Sequence, residues 1–413
     1  MQQDSQPMTL EKALAALSTL IQPLAATHEV PLSEARGRVL AEDVVTALPL
    51  PPFPASAMDG YAVKSEDWTQ GRTFNLIGQA LAGHPFTGTL AAGDCVRIFT
   101  GAQVPVGADR VVLQEWVKAL DERTITFDAV SAGESYIRPV GNDVAQGEII
   151  AVAGTRLGPI TIGSLAASGI AQVTVRQRPV IGVFSSGDEL IDISVPPSAL
   201  QPGQIYDSNR RTVMELLRNL PLEILDLGCL NDDPETIRTA LQQAASRCDL
   251  LITSGGVSVG EADFITQTIS DLGELVFWKL NIKPGKPLAL GRIEDCWILG
   301  LPGNPVSTIV TALLVGIPLA AHLAGFSPEP PLRISAQLDA PLGHQPGRAE
   351  YQRGRYWHTK GEPKVRHTGE QGSNRLSTFR HANCLIEIPA ESGDIPSGAR
   401  VTILPFVGLM AEA

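Results

Sequence analysis

The sequence predicts a multidomain α/β protein centred on a doubly wound, mainly parallel sheet, and three observations carry that prediction. From Pro179 onward, short apolar runs alternate with helix-like stretches, as strands buried on both faces alternate with the helices that cover them. Between Tyr61 and Pro139, brief β-like runs are broken by Gly, Pro and Asp, the pattern of a β-rich lobe. After Phe326, prolines and glycines return among short β-like runs, which points to a small C-terminal β domain. A length of 413 residues allows about three domains.

In chain order, residues 9–22 place Leu10, Leu14, Leu17 and Ile21 at helical spacing. The connector 49–54, Pro-Leu-Pro-Pro-Phe-Pro, cannot be helical inside and marks a boundary. Short strands are expected at 95–99 and 111–114. A helix over 159–168 and an extended run over 172–176 suggest that the chain there rejoins its first segment. The expected organisation is a discontinuous N-terminal α+β domain (7–54 and 140–178), a β-rich lobe (55–139), the α/β domain (179–327) and a C-terminal β domain (328–411). Within the α/β domain, strands are expected at 180–184, 223–227, 250–253, 275–278 and 297–299, and helices at 209–220, 234–247, 263–272 and from 305 to about 323.

The most informative stretch is TSGGVSVGEADF, 253–264, between the apolar run Leu250-Leu251-Ile252 and a helical segment. A glycine-rich loop from strand to helix offers backbone N–H groups and a positive dipole end to an anion. This loop also carries Glu261 and Asp263, and a divalent cation such as Mg²⁺ can join carboxylates to phosphate oxygens. In doubly wound sheets, ligands bind beyond the carboxyl ends of the strands. There this chain has Ser185-Ser186-Gly187-Asp188-Glu189, Asn231-Asp232-Asp233, the glycine loop with Gly255, Gly256 and Ser258, and Gly300-Leu301-Pro302-Gly303-Asn304-Pro305.

Taken singly, Asp-Asp-Pro is a helix cap, and Asn304 with Pro305 is a cap followed by a first helical residue. Together, carboxylates gathered at one rim repel unless a cation or proton relieves them. The basic counterpart is 279–287, KLNIKPGKP, whose prolines and glycine forbid a helix and whose lysines Lys279, Lys283 and Lys286 suit a multiply charged oxyanion; the plain alternative is a solvated charged loop. Walker A spacing is absent. Gly256-Val257-Ser258-Val259-Gly260 matches GxSxG, but no HGGG-type oxyanion segment accompanies it, which disfavours a serine hydrolase.

The formal net charge of −12 opposes non-specific nucleic-acid binding. The five cysteines form no CxxC pair and the seven histidines no metal-ligand spacing, so reduced core thiols are expected and a structural zinc site is not. No apolar run of about 20 residues and no signal peptide is apparent, giving a soluble, cytoplasmic reading with no membrane contact.

Several motifs occur together and in order: SAMDGYAV (56–63), RIFTGAQVP (97–105), SSGDEL (185–190), QIYDSN (204–209), TSGGVSVGEADF, KPGKP (283–287), GLPGNPVS (300–307), YQRG (351–354) and GEQGSNRLSTF (369–379). Over about 9–405 the chain resembles the molybdopterin molybdenumtransferase family, which includes MoeA and the gephyrin E domain. The resemblance implies a four-domain subunit in a homodimer, whose α/β domain binds molybdopterin. It also implies insertion of molybdate into molybdopterin adenylate with release of AMP, assisted by Mg²⁺, and transient contact with the molybdopterin-adenylating protein. By motif position, Asp59, Thr100 and Asp143 would come from the partner subunit. Glu189, Asp232 and Asp263 would line the α/β rim, with Glu189 and Asp263 holding Mg²⁺. Asp59, Asp143, Glu189, Asp232 and Asp263 are the expected catalytic set. Ser186, Gly255, Gly256 and Ser258 would bind substrate, Lys279 and Lys283 would face molybdate or phosphate oxygens, Pro302 and Pro305 would shape the pocket, and Arg353 and Ser373 would contact the ligand's edge.

Asn142, Ser186 and Asn374 stand where the family commonly has an acidic residue, Thr and His. A CinA-like pyrophosphatase would share the glycine loop but not SAMDGYAV or GEQGSNRLSTF. A gephyrin-like scaffold would carry further domains, and a non-catalytic carrier would not need the five carboxylates.

Overall fold

The computed structural model describes residues 7–69, 71–127, 133–257, 264–327 and 329–410. The α/β domain contains a six-stranded sheet in the spatial order Glu223–Leu230, Val180–Ser186, Leu250–Ser254, Cys296–Leu301, Ala289–Ile293, Glu274–Trp278. The first four strands are parallel, and Ala289–Ile293 runs antiparallel to both its neighbours. That antiparallel strand is not among the sequence-predicted elements: its apolar run is short and follows two prolines, so no alternation marks it. The chain leaves Val180–Ser186 to one side and returns to pair on the other at Leu250–Ser254. The order therefore reverses between these two strands, and such a reversal opens a crevice at their carboxyl ends.

Helices cover both faces at Asn209–Leu217, Pro234–Ala245 and Phe264–Leu272. The stretch Pro305–Leu323 is helical throughout, with a π-helical turn at Ala312–Gly316. It corrects the expectation that no apolar run approaches membrane-spanning length. Its 19 residues are long and apolar enough to cross a membrane, yet 89% of the most apolar window is buried inside the protein, as in the core helix of a globular domain.

The first helix, Leu10–Leu20, begins at Thr9, whose hydroxyl accepts from the Lys12 N–H. It buries Leu10, Ala13 and Leu17 in the same core as Leu280, Ile317, Leu319 and Leu323. The expected segment 7–54 is thereby divided. Residues 8–24 dock on the α/β domain through Met8 N–H to Lys279 O, Asn281 N–H to Met8 O and Leu24 N–H to Leu323 O. From Thr27–Pro31 the chain pairs with Gln172–Arg176 over five residues, and Val44–Val45 pairs with Ile149–Ala151.

The β lobe is a six-stranded sheet in the order Arg110–Leu113, Gly60–Val63, Asp94–Ile98, Thr73–Ala80, Thr124–Phe127, Val117–Ala119. In the C-terminal domain, Ala349–Thr359 pairs with both Glu362–His367 and Cys384–Ile388, closing a barrel-like sheet. Ile282–Lys283 of the α/β segment joins its edge, pairing parallel with Ala349 and Glu350.

Under the crevice, Arg210 is 2% exposed and reaches three carboxylates: Asp207 at 2.9 Å, Asp192 at 2.5 Å, and Asp226. Asp207, itself 1% exposed, also accepts from the Arg210 N–H and the Ser185 hydroxyl. Removing one member of a buried charge network strands the others. Arg210→Leu should lower unfolding stability by about 3–5 kcal/mol, measured by urea denaturation. A loss below about 1 kcal/mol would show that the network is not what anchors this region.

Candidate functional site

A cavity of about 600 Å³ opens at the carboxyl ends of the parallel strands. Seven sequence-predicted residues line it: Ser186, Glu189, Asp232, Gly255, Gly256, Pro302 and Pro305. Ser258 and Asp263, with the rest of 258–263, lie outside the described residues. So does most of the GxSxG match.

The two glycines have local reasons to be glycine. Gly255 has φ +99° and Gly256 φ +67°, a region that side chains disfavour. A Cβ on Gly255 would lie 2.4 Å from Ser186 O, and one on Gly256 2.6 Å from Ile265 Cγ1. The loop is thus pressed against the neighbouring strand end and the following helix.

Adjacent residues divide their work in two of the motifs. In Asp232-Asp233-Pro234, Asp233 is the cap: its carboxylate accepts from Thr236 N–H at 2.8 Å and Thr236 Oγ1 at 2.7 Å. Asp232 faces the cavity, and its Oδ1 is buried with no hydrogen-bond partner among the described residues. Ser186 Oγ is likewise buried, and it sits beside the Asp232 carboxyl. Burial, reinforced by the charges of Asp188 and Glu189, pushes that carboxyl above its ordinary pKa, and Ser186 draws it partly back down. In Asn304-Pro305, Asn304 holds the expected cap position, but its side chain makes no capping bond and lines the cavity instead. The helix start is fastened from outside by Val306 N–H to Ser373 O at 3.0 Å.

That fastening gives the 369–375 loop a structural account that differs from the sequence expectation. Arg353 is fully buried and does not line the cavity. Its guanidinium donates to Thr378 Oγ1 at 3.0 Å and to the carbonyls of Glu370, Gln371 and Gly372. Burial pushes its pKa down to about 10, with Glu350 opposing, so it stays charged at neutral pH. Expected at the ligand's edge, it instead braces the loop from behind, because its five donors match a run of carbonyls. Ser373 contributes a backbone carbonyl, and its neighbour Asn374 is the loop residue that lines the cavity.

Neither of the two expected lysines, Lys279 and Lys283, is among the residues that line the cavity. Lys283 pairs with the buried Glu350 at 3.1 Å, and Glu350 also meets His344 Nδ1 at 2.8 Å. Lys279 has φ +80°, a left-handed conformation that costs a non-glycine residue energy. Its backbone is clamped by Leu288 O and by Met8 N–H.

Three predicted residues lie elsewhere on the same chain. Asp59 Oδ1 accepts from both Thr100 N–H and Thr100 Oγ1 at 2.8 Å, in the β lobe. These two bonds, the backbone one first, hold the exposed Asp59 carboxyl below its ordinary pKa. Asp143 lies in the N-terminal region beside Leu50, Val144 and Ile160.

Residues that sequence reasoning did not single out also shape the site. Asn209 donates from Nδ2 to Ser254 Oγ at 2.8 Å and to Gly303 O at 2.7 Å, tying three strand-end loops together. Tyr206, Ser208 and Ser307 line the cavity. The position of Asn209 at the end of QIYDSN, where a helix begins, was the available signal. Among the described residues, no group of three or more His, Cys, Asp or Glu side chains is arranged to hold a metal. All five cysteines are free.

Comparison with known proteins follows this geometry. The MoeA N-terminal region (domains I and II) matches residues 8–169, a probable molybdopterin-binding domain matches 182–322, and the MoeA C-terminal region (domain IV) matches 335–406. The chain is 41% identical to a molybdopterin molybdenumtransferase of Haemophilus influenzae, over 98% of this chain and 100% of that one. It is 33% identical to one from a Nostoc species, over 92% of this chain and 88% of the relative. The crystal structure of a molybdopterin biosynthesis MoeA protein from Pyrococcus horikoshii OT3 superposes with a TM-score of 0.81 at 30% identity, covering 97% of this chain and all of that one. With all three regions matched in order and near-complete coverage by relatives, the chain belongs to the molybdopterin molybdenumtransferase (MoeA) family.

Proposed function

We propose that this chain is a homodimeric, cytoplasmic enzyme that inserts molybdate into molybdopterin delivered as its adenylate, releasing AMP with the help of Mg²⁺. Membership of the family makes it an enzyme of molybdenum cofactor biosynthesis. The observation that carries the finer reading is the convergence of Ser186, Glu189, Asp232, Gly255 and Gly256 on one cavity at the point where strand order reverses.

Two carboxylates of the cavity, Glu189 and Asp232, support a role for Mg²⁺. Asp232 Oδ1 is an orphaned buried oxygen beside Asp188 and Glu189, and Mg²⁺ favours hard oxygens, commonly one or two carboxylates completed by substrate phosphate. Glu189 and Asp263 would hold it. Bound there, it would supply neutralisation of the charge developing on the phosphate.

The chain's own groups do the positioning. The glycine loop brings backbone close to the ligand, and the Asn304 amide, free of capping, is available for a hydrogen bond. Lys279 and Lys283 would offer ammonium donors to molybdate or phosphate oxygens. Pro302 and Pro305 fix the wall. Arg353 and Ser373 act by holding the loop that carries Asn374.

Asp59, Thr100 and Asp143 would be supplied by the partner subunit. Exposed apolar side chains on the N-terminal region support this reading: Val45, Leu48, Ile149, Val152 and Ile160, the last 83% exposed. Such a patch favours burial against another protein surface. The adenylating protein would dock transiently, and neither nucleic acid nor membrane is a partner.

Three outcomes test the reading. AMP release from molybdopterin adenylate should require both molybdate and Mg²⁺, and Asp263→Ala should slow it at least about tenfold; full release by that variant would remove the metal assignment. Asp232 has a raised folded-state pKa, so its stabilising contribution is present below its unfolded pKa and is lost as pH rises through the folded one. Asp232→Asn should therefore raise the melting temperature at pH 7, with the gain vanishing in acid. Mg²⁺ should raise the melting temperature of the parent more than that of the variant, and equal Mg²⁺ responses would contradict the shared site. Lys279→Asn should keep the parent's melting temperature, because Asn tolerates the left-handed region, while AMP release falls at least about tenfold; unimpaired release would dismiss the lysine's role.

A further inference from the structure

A second cavity, of about 590 Å³, lies at the seam between the N-terminal region and the α/β domain, and shares no lining residue with the first. Arg36 and Arg156 reach it from the N-terminal region, Arg178 from the connector between the two, and Arg218 from the end of the helix Asn209–Leu217. No carboxylate lines it. In a chain of net charge −12, four arginines around one cavity run against the average; Arg36, Arg178 and Arg218 are exposed to solvent there and Arg156 is half-buried.

Two of the four are partly engaged. Arg156 donates to Asn219 O and sits 5.9 Å over the Phe326 ring, and Arg218 meets the exposed Glu215 at 3.2 Å. The guanidinium groups of Arg36 and Arg178 make no hydrogen bond or ion pair among the described residues. Buried Arg38 is held below its ordinary pKa by desolvation and then by the charge of Arg178. At the same wall, the nine-residue helix Pro159–Ala167 starts from Gly158, which has no side chain to cap the first-turn N–H groups. Uncapped N–H groups and unpaired guanidiniums are complementary to one kind of ligand, a compact multivalent oxyanion. Leu157, Pro159, Leu220 and Pro221 supply apolar wall beside it.

We propose that this cavity binds a phosphate-bearing small molecule, its anionic group held by Arg36 and Arg178 and flanked by Arg156 and Arg218. The ligand would bridge the N-terminal region and the α/β domain at their connector.

The test is calorimetric titration of the full-length chain at low ionic strength with inorganic phosphate and, separately, with a nucleoside monophosphate. The parent should bind phosphate with a dissociation constant of about 1 mM or tighter. Arg36→Gln/Arg178→Gln should weaken that binding at least about tenfold, the loss of two charge-assisted contacts. The parent's melting temperature should rise in phosphate and the variant's should not. Tighter binding of the nucleoside monophosphate would assign an organic ligand using the apolar wall, and equal binding would assign inorganic phosphate itself. Phosphate binding that survives the double substitution unchanged, or is absent at about 10 mM, overturns the proposal.

Discussion

The guanidinium of Arg210, shared among Asp192, Asp207 and Asp226, is the constraint on which the candidate active site rests. Burial opposes its charge, yet the hydrogen bonds it donates to Asp207, Asp192 and Asp226 raise its pKa above the ordinary value. Asp207 carries the constraint to Ser185 at a strand end, and one turn of chain away Asn209 ties Ser254 to Gly303. Three strand ends are thereby set by two neighbouring polar clusters rather than by loop sequence alone. Such a cluster is rigid when every member is satisfied. Among the described residues, Asp232 Oδ1 and Ser186 Oγ sit side by side at the rim with no bond into these clusters, and a site with a satisfied frame and such contents is shaped for a ligand.

Much of this was legible in the chain. Alternating apolar runs and helices gave the sheet, and the rule that ligands bind beyond the carboxyl strand ends gave the rim. Residues after four of the five predicted strands line the cavity, whereas Lys279 and Lys283, after the strand predicted at 275–278, do not. What could not be read was which of two neighbours would turn inward. Asp232 and Asp233 are identical in type, and only the position of Thr236 makes the second the cap. Asn304 looks like a cap by every local rule, but Ser373, distant in sequence, supplies the helix's fastening. Arg353 misled for the same reason: a charged residue beside a motif reads as ligand-facing until the carbonyls that consume its donors are seen.

The β lobe marks another limit. Asp59 and Thr100 satisfy one another, and turn chemistry alone explains Asp and Gly there. Nothing in spacing could say that they would lie outside the cavity lined by the glycines of their own chain. The missed strand Ala289–Ile293 has a simpler cause. It is antiparallel within a parallel sheet, so the strand–helix alternation that located its neighbours skips it.

The two-residue strand Ile282–Lys283 has a consequence for modularity. In sequence, the molybdopterin-binding region ends at 322 and the C-terminal region begins at 335, which invites treating them as interchangeable cassettes. In hydrogen bonding the boundary runs elsewhere, because the barrel-like sheet takes its edge from residues 282 and 283, and Lys283 answers a carboxylate buried in that sheet. Recombination between relatives at the linker would preserve each cassette and still break the ladder, leaving Glu350 facing a foreign loop. An exchanged C-terminal region would have to match at 282–283 as well as at the join to restore both contacts. The unit of inheritance here is larger than the unit of sequence similarity.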